Sequence, residues 1–405
     1  MMPSLAGKTG ATARRRLWLA IVAIVCGLWG AASLAIYAIY ATKHPIEDWM
    51  VYFGAARLAI EGNMALLLDS ERFTACLSAM FSGWLSEPFV FRSWAYPPPF
   101  LLLLVPFGII GFVGSCVLFE VATFAGLLAA VWRSTRRHRA LHLLSLLLAP
   151  AVAFNVVAGQ NGFLTGALMI GGFGALPGNP VLAGVLLGLL SYKPQFWLLV
   201  PVALAAARQW RVLGIAIATG AAAALASLAM FGFEPWFVWL EWALKPPALE
   251  YRKFLECCRL HDESIFTNLS LLGAPKLLAD LGQVVAALGA ALCVWWCFCR
   301  EMPHELRLAV VLAAATLAAP HVANYDAVLL VVAATLVFVH GLEHGFRPGG
   351  IIVPVLVWMI QLLNPPDAFP IGRITPMLTV LLIGCAIAAA MPALQRSPAQ
   401  WKTEP

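Results

Sequence analysis

The sequence has 405 residues, of which 61% are apolar and only 11% are charged. Apolar runs recur almost to the C-terminus, which excludes a soluble globular protein and indicates an all-α, polytopic membrane protein. The net charge of +6 does not indicate nucleic-acid binding, because the basic residues stand at the ends of apolar runs. Such residues mainly set the orientation of membrane spans.

The first predicted span runs from Leu17 to Ala41, and basic residues precede it. Positive charge on the cytoplasmic side then predicts cytoplasmic tails at residues 1–16 and 396–405. Residues 17–395 form a single predicted transmembrane domain of about 10–12 spans. Its first outer loop is predicted at residues 42–96 and a second long outer loop at residues 232–276.

Two adjacent carboxylates, Glu47 and Asp48, begin the first outer loop. The apolar residues that follow recur with helical spacing, which predicts a helix lying along the membrane surface and ending at Gly62-Asn63. Asp48 at the start of this helix could be an N-cap or a reactive carboxylate, and its position alone allows both.

The apolar sequence after Tyr96-Pro97-Pro98-Pro99 is too long for one span, and Pro106 interrupts it. We predict a short re-entrant piece followed by one crossing. Further crossings are predicted at about 140–157, 162–176, 180–191, 193–208, 211–231, 280–299, 308–320, 325–341, 350–363 and 373–392.

Polar connections collect on the predicted outer side of these spans. They are residues 155–162, the loop at 232–276, residues 320–326 and residues 364–367. Polar groups at membrane depth are costly unless they serve a function, so this collection is the main functional signal in the sequence.

Three cations could bind an anionic group there. Lys193 lies between two apolar runs, where it is either a snorkelling lysine or a fixed cation for a phosphate. Arg57 and His321 allow the same two interpretations. For His321 the neighbouring Asn324 and Asp326 favour a function.

Other polar motifs have plainer explanations beside the functional ones. Gln160-Asn161-Gly162 is typical of a turn between spans. His261-Asp262-Glu263 lacks a metal-ligand spacing and is expected to be a solvated loop, so we predict no metal site. Trp236, Trp239 and Trp242 are explained by anchoring at the interface, with sugar stacking as the alternative.

No glycine-rich phosphate loop is present, so we predict no cofactor and do not expect a soluble nucleotide sugar as donor. Among the nine cysteines, those in apolar runs are interpreted as small hydrophobic residues. Cys76 could pair with Cys257 or Cys258, since all three fall in predicted outer loops.

The order of short motifs along the chain resembles glycosyltransferase family 87, which includes polyprenol-phosphate-mannose-dependent alpha-1,2-mannosyltransferases. The motifs that carry the resemblance are Asp48-Trp49-Met50-Val51-Tyr52 with Gly62-Asn63, Tyr96-Pro97-Pro98, Gln160-Asn161-Gly162, Lys193-Pro194-Gln195, Arg208-Gln209-Trp210-Arg211, and Pro320-His321 with Tyr325-Asp326. One departure is Leu67-Leu68-Asp69, where relatives often have Leu-Tyr-Asp.

The resemblance implies a GT-C-type bundle of transmembrane helices with a catalytic aspartate on the first extracytoplasmic loop. By this likeness Asp48 is the general base, although the adjacent Glu47 leaves that choice open. Donor-phosphate contacts would then come from Lys193, His321 and Arg57. Candidate substrate-binding residues are Tyr52, Tyr96, Gln160, Asn161, Gln195, Tyr325 and Asp326.

These inferences predict an inverting hexosyltransferase in the bacterial inner membrane, with several spans and an outward-facing site. Its expected partners are a polyprenyl-phosphate sugar donor, a lipid or glycan acceptor and membrane lipids, with mannose as the expected sugar. The alternative is a transporter or a lipid flippase, which predicts related halves and charges near the middle of the bilayer. Neither feature is evident in the sequence.

Overall fold

The computed structural model describes residues 5–43, 46–244, 262–363 and 374–394. The first half of the chain forms α1 (Leu5–Lys43), α2 (Glu47–Ile60), α3 (Met64–Leu68), α4 (Ser70–Met80), α5 (Pro98–Ile109), α6 (Phe112–Ser134), α7 (Arg139–Leu147), α8 (Pro150–Ala158), α9 (Gly162–Ala175) and α10 (Pro180–Leu189). A 3-10 turn at Leu190–Tyr192 then leads to α11 (Pro194–Trp197) and α12 (Val200–Ala206).

The second half is also helical. It contains α13 (Trp210–Phe231), α14 (Glu234–Leu244), α15 (Ile265–Leu271), α16 (Lys276–Phe298) and α17 (His304–Ala318). After a 3-10 turn at Asn324–Ala327 come α18 (Val328–His344), α19 (Ile352–Leu363) and α20 (Thr375–Leu394). The prediction of an all-α polytopic membrane protein is confirmed.

Four continuous helical segments of the described chain are long and apolar enough to cross a membrane. They are Phe112–Ser134, Trp210–Phe231, Lys276–Phe298 and Asn324–His344. The helices α7 and α8 form a fifth candidate, bent by 50° at a short break. Several shorter apolar helices accompany them, and the predicted total of about 10–12 spans stays a prediction.

The centre of the bundle is formed by α17 and α18, whose residues are almost all buried. They pack against each other, while α17 also contacts α16 and α20. A second region of packing joins α6 to α9, and α9 to α10. Because side chains from many helices meet here, this core fixes the ends of α9, α10 and α17 relative to one another.

The predicted first outer loop, residues 42–96, folds against this bundle instead of lying freely on a membrane surface. In α2, Trp49, Met50, Tyr52, Ala55 and Ala56 are all buried, so the helix is covered on several sides. The prediction of a surface helix with one buried face is therefore wrong. The predicted end of the helix is confirmed, since Glu61 is the C-cap and Gly62, which follows it, has a φ of 73°.

The apolar run after Tyr96 divides as predicted into a short helix, α5, and one long helix, α6. Pro98 and Pro99 lie in the first turn of α5, where proline favours a helix start. Asp69 belongs to Leu67-Leu68-Asp69, which differs from the Leu-Tyr-Asp pattern of relatives. It caps α4, because its carboxylate accepts hydrogen bonds from the amides of Glu71 and Arg72.

Some expectations fall on residues outside the described part of the chain. They concern residues 364–367 and the pairing of Cys76 with Cys257 or Cys258. The division of the chain into a transmembrane domain and two cytoplasmic tails likewise stays a prediction.

Candidate functional site

Asp48 lies in the first turn of α2 and is partly exposed. The residue before the helix is Ile46, which has a φ of 43°, so the N-cap interpretation of Asp48 is wrong. Its carboxylate hydrogen-bonds Gln160, and no described Lys, Arg or His forms an ion pair with it. Glu47 differs, because it forms an ion pair with Arg92 at 2.6 Å.

The environment of Asp48 makes its carboxylate a stronger base than an exposed aspartate. Burial raises its pKa, and the charge of Glu47 also raises it. The positive charge of Arg92 and the hydrogen bond from Gln160 lower the pKa, but the net result is a pKa above the ordinary value. A raised pKa brings a carboxylate closer to the range that suits a general base near neutral pH.

A network of hydroxyl and amide groups lies beside Asp48. The hydroxyl of Tyr52 donates to Oε1 of Gln160 at 2.5 Å and is 2.8 Å from the hydroxyl of Tyr96. The amide nitrogen of Asn161 donates to both tyrosine hydroxyls, at 3.0 and 2.9 Å. Since Gln160 Oε1 also accepts from the backbone amide of Asn161, its Nε2 is left to donate to Asp48.

Lys193 is connected to this network through Asn161. Its Nζ donates to Oδ1 of Asn161 at 3.0 Å and to Oδ1 of Asp326 at 2.5 Å. The side chains of Lys193 and Asp326 are only 2% and 1% exposed, so the snorkelling interpretation of Lys193 is wrong. The ammonium group also lies 4.8 Å from the ring centre of Tyr325, which adds a cation–π contact.

Asp262 and His321 form a second pair, which brings the end of the predicted second outer loop to the site. Nδ1 of His321 is 2.8 Å from Oδ2 of Asp262, and the amide of Ser264 donates to Oδ1 of the same carboxylate. The amide of Glu263 donates to the carbonyl of Val322 at 2.7 Å. Asp262 and Glu263 are therefore buried, and the expectation of a solvated loop at these residues is wrong.

The two groups shift each other's pKa in opposite directions. Burial alone would raise the pKa of Asp262, but the charge and hydrogen bond of His321 bring it below the ordinary value. Burial would lower the pKa of His321, yet the carboxylate of Asp262 raises it above the ordinary value. His321 is therefore stabilised as a cation, and its side chain is 36% exposed.

Gly159 and Asn155 position the network from the connection between α8 and α9. Gly159 has a φ of 70°, and a Cβ atom there would lie 2.7 Å from Cβ of Trp49. Asn155 donates to the carbonyl of Gln160 at 3.0 Å and to the buried Glu120 at 3.1 Å. Gln160-Asn161-Gly162 is thus a turn, as expected, but one whose polar side chains point into a shared cluster.

Two of the candidate residues do not join the cluster. Arg57 is near the other end of α2 and pairs with Glu61 at 2.8 Å on the exposed surface. Gln195 is half-buried in α11, and its side chain makes no hydrogen bond to another described residue. Within the described part of the chain, no three His, Cys, Asp or Glu side chains are placed to bind a metal ion.

Arg92 was missed by the sequence interpretation, and Asp262 was interpreted as part of a solvated loop. Both lie in long loops, far along the chain from the residues that they contact. The signal that could have indicated Asp262 is His321 itself, since a partly buried imidazole in a polar loop usually needs a hydrogen-bond partner.

The arrangement can accept a proton and bind an anion within one cluster. Asp48 is a partly exposed carboxylate with no ion-pair partner among the described residues. His321 and Lys193 supply positive charge near Asp326, and Lys193 is joined to the Gln160-Asn161 turn through Asn161. A hydroxyl group that loses a proton and an anionic leaving group are the reacting parts that such a site suits.

Comparison with protein families shows a match of residues 94–322 to the model of glycosyltransferase family 87. Comparison with curated proteins and with solved structures gives no match. The matched residues include Tyr96, Asn161, Lys193 and His321 of the cluster, whereas Asp48 precedes them. Because the match covers more than half of the chain and the chain has helices of membrane-spanning length, this protein belongs to glycosyltransferase family 87 and is a membrane glycosyltransferase.

Proposed function

We propose that this chain transfers a hexose from a polyprenyl-phosphate sugar to a hydroxyl of a lipid or glycan acceptor. Mannose is the proposed hexose. The reaction takes place at the outer face of the bacterial inner membrane and inverts the anomeric carbon. Family membership supports the transfer of a sugar. The donor, the acceptor and the roles of single residues are argued from the geometry of the cluster.

The observation that carries the proposal is the difference between the two adjacent carboxylates. Glu47 is neutralised by Arg92, whereas Asp48 hydrogen-bonds a neutral amide and has a raised pKa. A carboxylate held in an ion pair with a guanidinium is less available to an incoming hydroxyl, because its oxygen already accepts a hydrogen bond. Asp48 is accordingly the general base in this proposal, and Glu47 has the supporting role of binding Arg92.

In the proposed step, the acceptor hydroxyl oxygen forms a bond to the anomeric carbon and its proton moves to Asp48. The bond between the anomeric carbon and the phosphate oxygen breaks, and the lipid phosphate leaves with the electron pair. His321 is the main proposed phosphate contact, since its side chain is 36% exposed and Asp262 stabilises its cationic form.

Lys193 has a different proposed role from His321. Its ammonium group is almost fully buried and already bonded to Asp326, so a phosphate could approach it only by displacing that carboxylate. We assign it to positioning the side chain of Asn161 and supplying a background positive charge. Tyr52, Tyr96 and Gln160 would position the sugar and acceptor through the hydroxyl and amide network.

A lipid-linked donor suits a site built among membrane helices. The cluster lies where α9 and α18 begin and where α10 ends, close to helices that carry exposed apolar side chains. A polyprenyl chain could lie along these helices while its phosphate sugar enters the polar cluster. No such apolar surface is needed by a water-soluble nucleotide sugar.

The test compares wild type with Asp48→Asn and Glu47→Gln in proteoliposomes. They are supplied with radiolabelled polyprenyl-phosphate mannose and a membrane-lipid extract, and transfer of label is measured. We expect Asp48→Asn to lose activity by about 10²-fold or more, since it keeps the size of the side chain and removes the base. Glu47→Gln is the matched control and should keep most of the activity.

A folded Asp48→Asn variant with wild-type activity would overturn the assignment of the base. If the wild type transfers no label from polyprenyl-phosphate mannose but does so from another lipid-phosphate hexose, the assignment of mannose is wrong. The proposed mechanism is then unaffected. Absence of transfer from every lipid-phosphate sugar, with transfer from a nucleotide sugar, would overturn the proposed donor class.

A further inference from the structure

A second polar site lies at the opposite ends of the helices that support the cluster. A cavity of about 170 Å³ lies between the C-terminal ends of α9 and α12, the end of α16 and the start of α17. Its apolar lining includes Phe173, Leu176 and Phe298. Its polar lining consists of Gln209, His304 and Arg307.

Two side chains that line the cavity carry polar nitrogen atoms that the described part of the protein leaves unsatisfied. Nε2 of His304 and Nε of Arg307 are both shielded from solvent, and neither has a hydrogen-bond partner among the described residues. Buried donors without partners are costly, and native proteins usually satisfy them with a protein group, water or a ligand. Because both side chains also line the cavity, a bound group that accepts hydrogen bonds could satisfy these atoms after a small shift of either side chain.

The charges around the cavity favour an anion. Arg307 lies at its wall, and Arg300 is nearby, stacked on Trp296 with its guanidinium 4.2 Å from the ring centre. The acidic group that acts electrostatically on both Arg307 and His304 is Glu305, whose carboxylate lies 3.4 Å from the imidazole of His340. An arginine whose nearest carboxylate is directed towards another group can still bind a phosphate strongly.

The position of the cavity indicates which side of the membrane supplies the anion. The helix α17 begins at the cavity and ends just before His321, and its 15 residues span about 22 Å. The cavity is therefore on the face of the bundle opposite the candidate active site. By the distribution of basic residues this is the cytoplasmic face, where the membrane presents anionic headgroups.

We propose that this cavity binds the phosphate of an anionic phospholipid from the cytoplasmic leaflet. Arg307 and His304 contact the phosphate, Gln209 contributes a further polar group, and the apolar wall accommodates the glycerol and the first part of the acyl chains. Pro177 is exposed at the rim, which gives the headgroup access from the membrane interface. This site is separate from the sugar-transfer site and does not depend on the function proposed for it.

The test measures thermal unfolding of the full chain in detergent while phosphatidylglycerol or phosphatidylcholine is added. A ligand that binds only the folded state raises the unfolding midpoint with its concentration. We expect a saturable rise with phosphatidylglycerol and little change with phosphatidylcholine. Arg307→Gln should raise the concentration needed for half of the effect by about tenfold, since it removes a charge-assisted hydrogen bond.

Arg300→Gln is the matched control, because Arg300 is on the same face but does not line the cavity. Should Arg307→Gln fail to fold, Gln209→Glu places a negative charge at the cavity and should weaken binding as strongly. Equal stabilisation by both lipids, or unchanged binding in these two cavity variants, would overturn the proposal. Soluble glycerol phosphate that stabilises as well as phosphatidylglycerol would overturn the assignment to a lipid.

Discussion

At the scale of single residues, the candidate site pairs most of its charges. Lys193 binds Asp326, His321 binds Asp262 and Arg92 binds Glu47. Buried or half-buried charges are costly in isolation, so these pairs allow a charged cluster to exist among membrane helices. Asp48 has no ion-pair partner among the described residues, and this difference from Glu47 makes its carboxylate the more available proton acceptor of the two.

The pair of Asp262 and His321 gives a prediction about pH dependence. In Asp262→Asn, the attraction that raises the pKa of His321 is lost, while burial and Lys193, which lower it, remain. His321 then loses its proton at a lower pH. If protonated His321 contacts the donor phosphate, the alkaline limb of the profile of kcat/KM against pH should move to lower pH.

The control for this measurement is Asp280→Asn, because Asp280 pairs with Lys276 on the exposed surface. An unchanged alkaline limb in Asp262→Asn would show that protonation of His321 is not required.

The same pair also makes the stability of the folded state depend on pH. The depressed pKa of Asp262 stabilises the folded state above about pH 4, and the raised pKa of His321 does so below about pH 6.5. The pair therefore stabilises most between these values.

The sequence predicted many members of the cluster but not how they are paired. Tyr52, Asn161 and Lys193 could be selected because polar side chains between apolar runs are unusual. Their contacts join positions 32 to 133 residues apart, and no local periodicity specifies such distances. Arg57 shows the limit of such a prediction. Its charge could be read from the sequence, but its ion pair with Glu61, away from the cluster, could not.

At the scale of elements, α2 is positioned by the turn between α8 and α9. The backbone of Ile46 donates to the carbonyl of Val157 at 3.2 Å, and Gly159 packs against Trp49. Trp49 in turn donates from its indole nitrogen to Ser115 of α6 at 3.1 Å. Asp48 is thus next to a residue that is fixed from two sides.

We predict that Gly159→Ala destabilises the protein by about 1–3 kcal/mol, because its positive φ is strained for alanine and the new Cβ would collide with Trp49. The start of α2 must then move, so sugar transfer should fall more than stability explains. Thermal unfolding and transfer assays on the same preparation measure the two effects.

Gly178→Ala is the control, since a Cβ there meets no atom within 4 Å. Wild-type stability and activity in Gly159→Ala would mean that the turn and α2 adjust without cost, which would contradict the close packing between them. Apolar periodicity in the sequence predicted that α2 is a helix. It did not predict the packing of α2 against the turn at Gly159, because periodicity does not specify which turn approaches which helix.

At the scale of the whole molecule, the two polar sites lie on opposite faces of one helix bundle. The long α16 separates the loop that carries Asp262 from Glu301 and His304, and its 23 residues span about 35 Å, enough to cross a bilayer. The overall class was predictable from composition alone. The bend of 50° between α7 and α8 was not predicted, although Pro150, which begins α8, is a residue type that interrupts a continuous helix.

This arrangement predicts which residues are reached from each side of the membrane. In a full chain whose cysteines have been replaced, Ser82→Cys should react with a membrane-impermeant maleimide in intact spheroplasts, because Ser82 is exposed and lies in the predicted first outer loop. Glu301→Cys is exposed beyond the other end of α16 and should react only after the membrane is opened. Labelling of both variants in detergent is the control for reactivity. The reverse pattern would place the sugar-transfer cluster in the cytoplasm, where nucleotide sugars are available, and the case for a lipid-phosphate donor at the outer face would then be lost.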